Sequence, residues 1–444
     1  VSNLTPQYLA LGNSRGIPQL LGTCLKTLFL LMLPITVVIL LCYDPISVYL
    51  LGDARTQLGL ILLLPCVALT RVENLHKHFF YGSSQVRPPA IAELLEQLVR
   101  TAAVLGLLIC FLPQYPERVV GLIVAGMVIC EVVSAFTLTL LCHWKLRRMG
   151  LQGPGECGRI RRRRVFSIAL PVGLNSLLGN LMGAVNAALV PQKLVEGGME
   201  RSQAISELGI VCGMTLPMLA LPTVFLGALS LVLVPRLARS TALSRPQEVR
   251  RQISRALSVV SVLALPAMGM MAVLGEPLGQ LLFRQEAIGE YLLPLAIATA
   301  LSCYQSVLGA SLNGIGRQGT VAWISLVCDG IQLAFTACLV GIPAIGMGGF
   351  VLGMLVSTGL GLLLCAWRLR AFTGLQFRVF QWVTAPGLAA LLSALVSNLL
   401  FQTLLDYGNS MLHSTVGTLM FGLLLYLAAL NAQGVTVKGL FHFG

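Results

Sequence analysis

Long apolar runs alternate with short polar segments along the whole chain. Twelve of these runs contain about 20 residues, which is the length that an α-helix needs to cross the roughly 30 Å hydrocarbon core of a bilayer. Inside lipid every backbone N–H and C=O group must bond within its own segment, so such runs are predicted to be helices. The predicted spans are residues 20–42, 55–75, 89–112, 118–143, 165–190, 205–234, 254–282, 287–312, 319–342, 346–368, 381–403 and 413–432.

Composition agrees with a chain that is embedded in a membrane. Hydrophobic residues make up 56% of the sequence and charged residues 11%, whereas soluble domains carry roughly 25% charged residues. The 12 cysteines are scattered through the apolar runs, without the spacing of a metal site or a disulfide framework. The sequence has no H-E-x-x-H, Walker or nucleophile-elbow motif, and the predicted outer loops are short. These features predict an all-α polytopic membrane protein that is not an enzyme and has no cofactor and no metal site.

Basic residues are concentrated in every second loop and so distinguish the two sides of the membrane. The richer side includes Arg71 and Lys77 in the second loop and the run RIRRRR at 159–164 in the fourth. The poorer side holds Arg55, Arg118, Lys193, Arg201 and Arg284. The positive-inside rule then places both termini in the cytoplasm. A basic run at the end of a membrane helix is expected to contact anionic lipid headgroups rather than nucleic acid.

One sequence frame occurs twice and indicates an internal repeat. LPITVVILLCYDP at 33–45 and LPAMGMMAVLGEP at 265–277 share their first two residues, an acidic residue and a final proline. Pro266 lies 232 positions after Pro34, and the same shift takes residues 1–138 onto 233–370. An even number of predicted helices separates the two copies, so both insert in the same orientation. The repeat is therefore expected to be parallel, with its axis along the membrane normal.

The repeat also predicts how the chain is organised. Two spans, 165–190 and 205–234, precede the repeated region in the second copy and have no counterpart in the first. If the halves are equivalent, the first lacks two helices and a complete protein would have about fourteen; a natural twelve-helix protein with local similarity is the alternative. The predicted parts are a lobe at 1–150, a six-helix lobe at 165–370 and two additional helices with a tail at 371–444.

Three segments resemble the polysaccharide transporter family that includes stage V sporulation protein B. They are GSSQVRPPAIAELLEQLVRTAAVLGLL (82–108), LVPQKLVEGGMERSQAISELGIVCGMTLPMLALPTVFLGALSLVLVPRLA (189–238) and LNGIGRQ (312–318). The family belongs to the superfamily of multidrug, oligosaccharidyl-lipid and polysaccharide (MOP) exporters. The resemblance implies two six-helix lobes around a central cavity, often followed by two added helices. It also implies that the first two family helices are missing from this chain.

Charges within a predicted span are functional candidates because they are costly in lipid. Glu93, Glu96 and Arg100 share one helical stripe, and Glu96 precedes Arg100 by four residues, the favourable order for an ion pair. One interpretation is a cavity wall on which Arg100 contacts a pyrophosphate group and a carboxylate resets it. A structural ion pair is the equal alternative.

Four further polar residues lie inside predicted spans. Glu131 and Asp329 are single acids that either line a cavity, with a role in proton or ion coupling, or pair with a neighbouring helix. Asn175 and Asn186 fall on one helical face and are candidates for hydrogen bonds to sugars. Small and amide side chains more often join membrane helices, so the packing role is preferred for these two residues.

The predicted function is a flippase that moves a lipid-linked oligosaccharide or peptidoglycan precursor across a bacterial cytoplasmic membrane by alternating access. Cation-coupled multidrug efflux is an alternative within the same superfamily. A membrane-embedded glycosyltransferase or polymerase would need catalytic acids on sizeable outer loops, which the sequence does not show. A non-transporting membrane protein is a further alternative.

Overall fold

In the computed structural model, every regular element of the described residues is a helix. The structure describes residues 1–45, 57–111, 119–150, 152–155, 157–285, 287–375, 383–408 and 410–433. Their α-helices are α1 (Leu4–Ala10), α2 (Gly16–Pro45), α3 (Gln57–Gly82), α4 (Arg87–Phe111), α5 (Val119–Met149), α6 (Gly158–Glu196), α7 (Arg201–Leu208), α8 (Leu216–Ala220), α9 (Val224–Ala242), α10 (Pro246–Phe283), α11 (Ile288–Gly314), α12 (Gln318–Leu339), α13 (Met347–Thr373), α14 (Ala385–Asp406) and α15 (Met411–Ala432).

Twelve helical stretches are long and apolar enough to cross a membrane, and each matches one predicted span. Several are longer than the apolar run that predicted them, because charged residues at their ends continue the helix. α6 begins at Gly158 and includes the whole basic run at 159–164. Lys77 was expected in a loop, but it lies in α3 and is buried. Arg55 and Arg118 lie outside the described residues.

The helices form two compact units. Unit 1 comprises residues 1–167 with 242–244, and unit 2 comprises 168–241 with 245–444, so the division falls within α6. The shift of 232 positions takes α2, α3, α4 and α5 of unit 1 onto α10, α11, α12 and α13 of unit 2. The order of helices in the two units therefore agrees with the sequence repeat.

In unit 1 the helices α3, α4 and α5 pack against one another, and α2 packs on α3. Hydrogen bonds join the segment that precedes α2 to the segment that precedes α6. Asn13 Nδ2 donates to the carbonyl of Gly155 at 3.2 Å, and Ser14 Oγ donates to that of Gly150 at 2.7 Å. The backbone N–H of Gln152 returns a hydrogen bond to Ser14 Oγ at 2.8 Å. These bonds hold the first turns of α2 and α6 close to each other.

Gly126→Val is expected to destabilise unit 1 by about 1–3 kcal/mol, because an added side chain overpacks the contact between α4 and α5. A Cβ at Gly126 would lie 2.6 Å from Val104 Cγ2 and 2.9 Å from Val104 Cα. Thermal unfolding of the purified protein in detergent measures the effect. Gly106→Val on α4 is the control, since a Cβ there meets nothing within 4 Å. Equal shifts for the two variants would contradict this account of the packing.

In unit 2 the long helix α10 is the central element. Its apolar face contributes Ile253, Leu257 and Val260 to a core shared with α9, α11 and α13. A π-helical turn, Gly209–Thr215, and a 3-10 turn, Leu221–Thr223, interrupt the stretch between α7 and α9. Pro217 and Pro222 account for these interruptions, because a proline offers no N–H to the carbonyl four residues earlier.

The last two helices pack against α10 and against each other through small polar residues. Ser393 Oγ donates to the carbonyl of Gly422 at 2.6 Å, and Tyr426 on α15 donates its hydroxyl to the carbonyl of Val262 at 3.0 Å. Ser397 and Thr418 are fully buried in the same region. Small side chains allow membrane helices to approach closely, so α14 and α15 are an integral part of unit 2.

Candidate functional site

Three helices of unit 1 bring six charged side chains together inside the helix bundle. α3 supplies Glu73 and Lys77, which are four residues apart and therefore on one face of the helix. α4 supplies Glu93, Glu96 and Arg100, the stripe that the sequence predicted, and α5 supplies Glu131. We call this group the acidic cluster: Glu73, Lys77, Glu93, Glu96, Arg100 and Glu131.

Lys77 is the centre of one half of the acidic cluster. Its Nζ lies 2.7 Å from Glu73 Oε1, 3.2 Å from Glu96 Oε2 and 3.4 Å from Glu93 Oε1. Lys77 is only 8% exposed and Glu73 only 1%, so little water screens the contacts of Lys77 with Glu73 and Glu96, whereas the Glu93 side chain is 51% exposed. Glu73 also accepts a hydrogen bond from Ser134 of α5 at 2.7 Å. Lys77 therefore links α3 to α4, and Glu73 links α3 to α5.

Arg100 is the centre of the other half. Its Nη2 donates to Glu96 Oε1 and lies 3.5 Å from Glu131 Oε1, and its Nε donates to Cys130 Sγ at 3.5 Å. The ion pair between Glu96 and Arg100 that the spacing predicted is therefore present, and Glu131 joins it from the neighbouring helix. The contact of Arg100 with a pyrophosphate stays a prediction, and it would require Arg100 to exchange carboxylate partners.

The acidic cluster carries more negative than positive charge. The Glu93 side chain is 51% exposed, whereas Glu73, Glu96 and Glu131 are buried beside two cations, Lys77 and Arg100. Full ionisation of the three buried carboxylates would therefore leave one negative charge in a poorly solvated place. Glu131 is 4% exposed, and its Oε2 receives no hydrogen bond from any donor among the described residues. Buried carboxylates are costly unless they are paired or protonated. The arrangement therefore suits the uptake of protons or of small monovalent cations.

A divalent metal fits this place less well. Glu96, Cys130 and Glu131 each offer a ligand atom, and these atoms lie within 4.8 Å of one another. The guanidinium of Arg100, however, already contacts all three side chains. A divalent ion would meet that positive charge at close range, and hard cations prefer oxygen to a thiol.

In unit 2 Asp329 lies at a small polar cavity rather than in an ion pair. The cavity has a volume of about 220 Å³, and its other polar side chains are Gln305, Gln332, Ser357 and Thr358. Gln332 is held in place because it donates to the carbonyl of Phe350 at 3.1 Å and accepts from Ser357 at 3.2 Å. Asp329 has no hydrogen-bond or ion-pair partner among the described residues. Asp329 therefore lines this cavity, and its part in proton or ion coupling stays a prediction.

Asn175 and Asn186 both lie on α6 and are half-buried. The buried Oδ1 of Asn186 receives no hydrogen bond from a described residue, and no described partner bonds to Asn175. The interhelical hydrogen bonds that the packing role would use are therefore not made within the described part of the chain. Their part in binding sugars stays a prediction.

Sequence reasoning missed Glu73 and Lys77, which the structure places in the acidic cluster. Their signal was the spacing of Glu73, Lys77 and Tyr81, which places three polar groups on one helical face. Tyr81 donates to Glu93 at 3.4 Å and so extends the same stripe. The fall in hydropathy after residue 75 concealed this stripe, because it suggested that the helix had ended.

Comparison with known proteins shows a family match and several distant relatives. Residues 23–241 match the model of a family described as polysaccharide biosynthesis protein. Stage V sporulation protein B of Bacillus subtilis is 23% identical over 77% of this chain and 68% of its own length. Lipid II flippase MurJ of the same organism is 24% identical over 60% of this chain and 50% of its own length.

Solved structures share the fold. The Vibrio cholerae MATE transporter VcmN in its bent form aligns with a TM-score of 0.68 and 15% identity, over 83% of each chain. A MOP superfamily transporter from Pyrococcus furiosus aligns with a TM-score of 0.66 and 15% identity, over 83% of this chain and 82% of its own. The fold of the chain is that of these transporters.

Proposed function

Because the chain belongs to the superfamily of multidrug, oligosaccharidyl-lipid and polysaccharide exporters, we propose that this membrane transporter moves a lipid-linked sugar between leaflets, driven by a cation gradient. The family match over residues 23–241 and the likeness to lipid II flippase MurJ support this class of substrate. The proposed location is a bacterial cytoplasmic membrane, with both termini in the cytoplasm. Related families are transporters rather than enzymes.

The acidic cluster is the observation that carries the proposed coupling. The three buried carboxylates among α3, α4 and α5 face two cations, which leaves one surplus negative charge, and Glu131 Oε2 lacks a donor among the described residues. Binding of protons or sodium ions neutralises this surplus, and their release restores mutual repulsion. A change in charge at a helix interface favours one packing arrangement over another. Alternating access then follows if the two arrangements of unit 1 belong to two states of the transporter.

The hydrocarbon part of the substrate needs no binding site of its own in the protein. An isoprenoid chain can stay in the bilayer while the anionic, sugar-bearing headgroup crosses through a polar route. The half-buried Asn175 on α6 and the amides and hydroxyls at the cavity of Asp329 offer hydrogen bonds of the kind that sugars use. Multidrug efflux is the alternative that shares the same coupling site.

A transport assay tests the proposal. The full chain is reconstituted in liposomes with a fluorescent polyprenyl-pyrophosphate sugar, and dithionite quenching reports how much label reaches the outer leaflet. We expect faster translocation with protein than without it, and a further several-fold increase when a proton or sodium gradient is imposed. Gradient-driven movement of ethidium without movement of the labelled lipid would overturn the proposal and favour efflux.

A further inference from the structure

A second polar site lies in unit 1 between the N-terminal halves of α2 and α6. It is a cavity of about 430 Å³, here called the basic cavity. From α2 it is lined by Thr23, Lys26, Thr27 and Leu30. These residues have the spacing of one helical face. Along this face the hydroxyls of the two threonines and the ammonium group of Lys26 come first, and the apolar side chain of Leu30 follows.

α6 presents a matching stripe to the basic cavity. Arg161, Arg162 and Phe166 line it on this side. Arg161 is fixed in direction because its Nε donates to Thr23 Oγ1 at 2.7 Å and its Nη1 donates to Gln19 Oε1 at 2.8 Å. The hydrogen bonds of Asn13 and Ser14 already described hold the starts of both helices together. The site is therefore formed in advance of any ligand.

The charge of the basic cavity is positive. Its lining includes three cationic side chains and no carboxylate among the described residues. Neither Lys26 nor Arg162 forms an ion pair with any residue that the structure describes; Arg162 only donates to the carbonyl of Gly158, at 3.3 Å. The first turn of α6 adds the partial positive charge of a helix N-terminus. A cationic cavity of this kind is complementary to a phosphate oxyanion.

The far end of the basic cavity is apolar. Leu30 is 70% exposed and Phe166 is 46% exposed. Both follow the charged residues along their helices. An elongated ligand in the cavity would therefore contact the cations with one end and the apolar surface with the other. This order of groups is that of a membrane lipid, in which a phosphate headgroup is joined to a hydrocarbon chain.

We propose that the basic cavity binds the phosphate headgroup of a membrane lipid. Lys26, Arg161 and Arg162 contact the phosphate oxygens, Thr23 and Thr27 supply hydroxyl groups beside them, and the chain lies along Leu30 and Phe166. Phosphate of this kind has two sources, namely an anionic phospholipid of the bilayer and the pyrophosphate of a polyprenyl-linked sugar. The site does not rest on the proposed transport activity, because binding takes place without turnover.

Lipid binding by the purified full chain tests the inference. Native mass spectrometry follows titrations with phosphatidylglycerol and with undecaprenyl pyrophosphate, and phosphatidylcholine serves as the reference lipid. The double variant Lys26→Gln, Arg162→Gln removes two cations from the basic cavity. The control Arg159→Gln, Arg163→Gln removes two exposed cations from the same turns of α6 that do not line the cavity.

We expect the cavity variant to weaken binding of at least one phosphate lipid by about tenfold or more, as the loss of charge-assisted contacts predicts. The control is expected to change it by less than about twofold. Loss confined to undecaprenyl pyrophosphate assigns the site to the substrate class, and loss confined to phosphatidylglycerol assigns it to the bilayer. Equal losses in the two variants, or none, would overturn the inference. Measuring binding alone keeps its failure distinguishable from a failure of transport.

Discussion

Lys77→Met should destabilise unit 1 by about 3–5 kcal/mol, because removing one partner from a buried ion-pair network leaves uncompensated charge. In this variant Glu73, Glu93 and Glu96 lose the ammonium group that lies within 3.4 Å of all three. Methionine keeps most of the side chain's length, so the change tests charge rather than volume. Thermal unfolding in detergent, followed by size-exclusion chromatography of the soluble fraction, measures the loss.

A matched ion pair at the surface provides the control for this prediction. Lys193 contacts Glu196 at 2.6 Å, but their side chains are 27% and 47% exposed. Exposed pairs contribute roughly 0–1 kcal/mol, so Lys193→Met should barely change the unfolding temperature. Adding Glu73→Gln to Lys77→Met should restore part of the lost stability. Equal effects at Lys77 and Lys193 would show that the acidic cluster is well solvated, contrary to its geometry.

Glu131→Gln should abolish the gradient dependence of transport, with a loss of about tenfold or more in the driven rate, while the protein stays folded. Glutamine has nearly the same shape as glutamate but cannot gain or lose a proton at neutral pH, and it binds cations weakly. Arg100 keeps Glu96 as its partner, so the remaining ion pair is preserved. The liposome assay with and without an imposed gradient measures both rates.

Glu276→Gln is the matched control, because Glu276 is an exposed acid on α10 outside the acidic cluster. It should transport with the full gradient dependence. If Glu131→Gln also kept that dependence, the coupling group would have to be sought elsewhere. Asp329 is then the next residue to test, since it lies unpaired at a polar cavity of unit 2.

Hydropathy predicted the twelve spans well, because the requirement for internal backbone hydrogen bonds leaves few alternatives to a helix in lipid. It predicted helix ends less well. α3 extends to Gly82 because Lys77 has three carboxylates within 3.4 Å, those of Glu73 and Glu96 being buried, and these replace the water that would solvate it. A hydropathy scale assigns each residue type its own cost of transfer from water to lipid and contains no information about such partners.

Within the acidic cluster, only contacts inside a single helix could be derived from the sequence, and of these Glu96–Arg100 was predicted whereas Glu73–Lys77 was missed. The spacing of Glu96 and Arg100 fixes their pairing, since four residues make about one turn. That Glu131 would join them depends on how α4 and α5 pack, which a single sequence does not specify. The same limit applied to Asp329, for which the repeat slightly favoured a cavity position but left an ion pair with a neighbouring helix open.

The contacts of α15 with α10 have a consequence for biosynthesis. Tyr426 reaches the carbonyl of Val262, which lies 164 residues earlier in the chain, and α14 covers the same helix. The ribosome synthesises α10 long before α14 and α15. Until those two helices are inserted, the face of α10 that they cover must therefore contact lipids or insertion factors. Truncated messenger RNAs that end before α14 should therefore yield a unit 2 that is inserted in the membrane but incompletely assembled. Membrane proteases can recognise such a form.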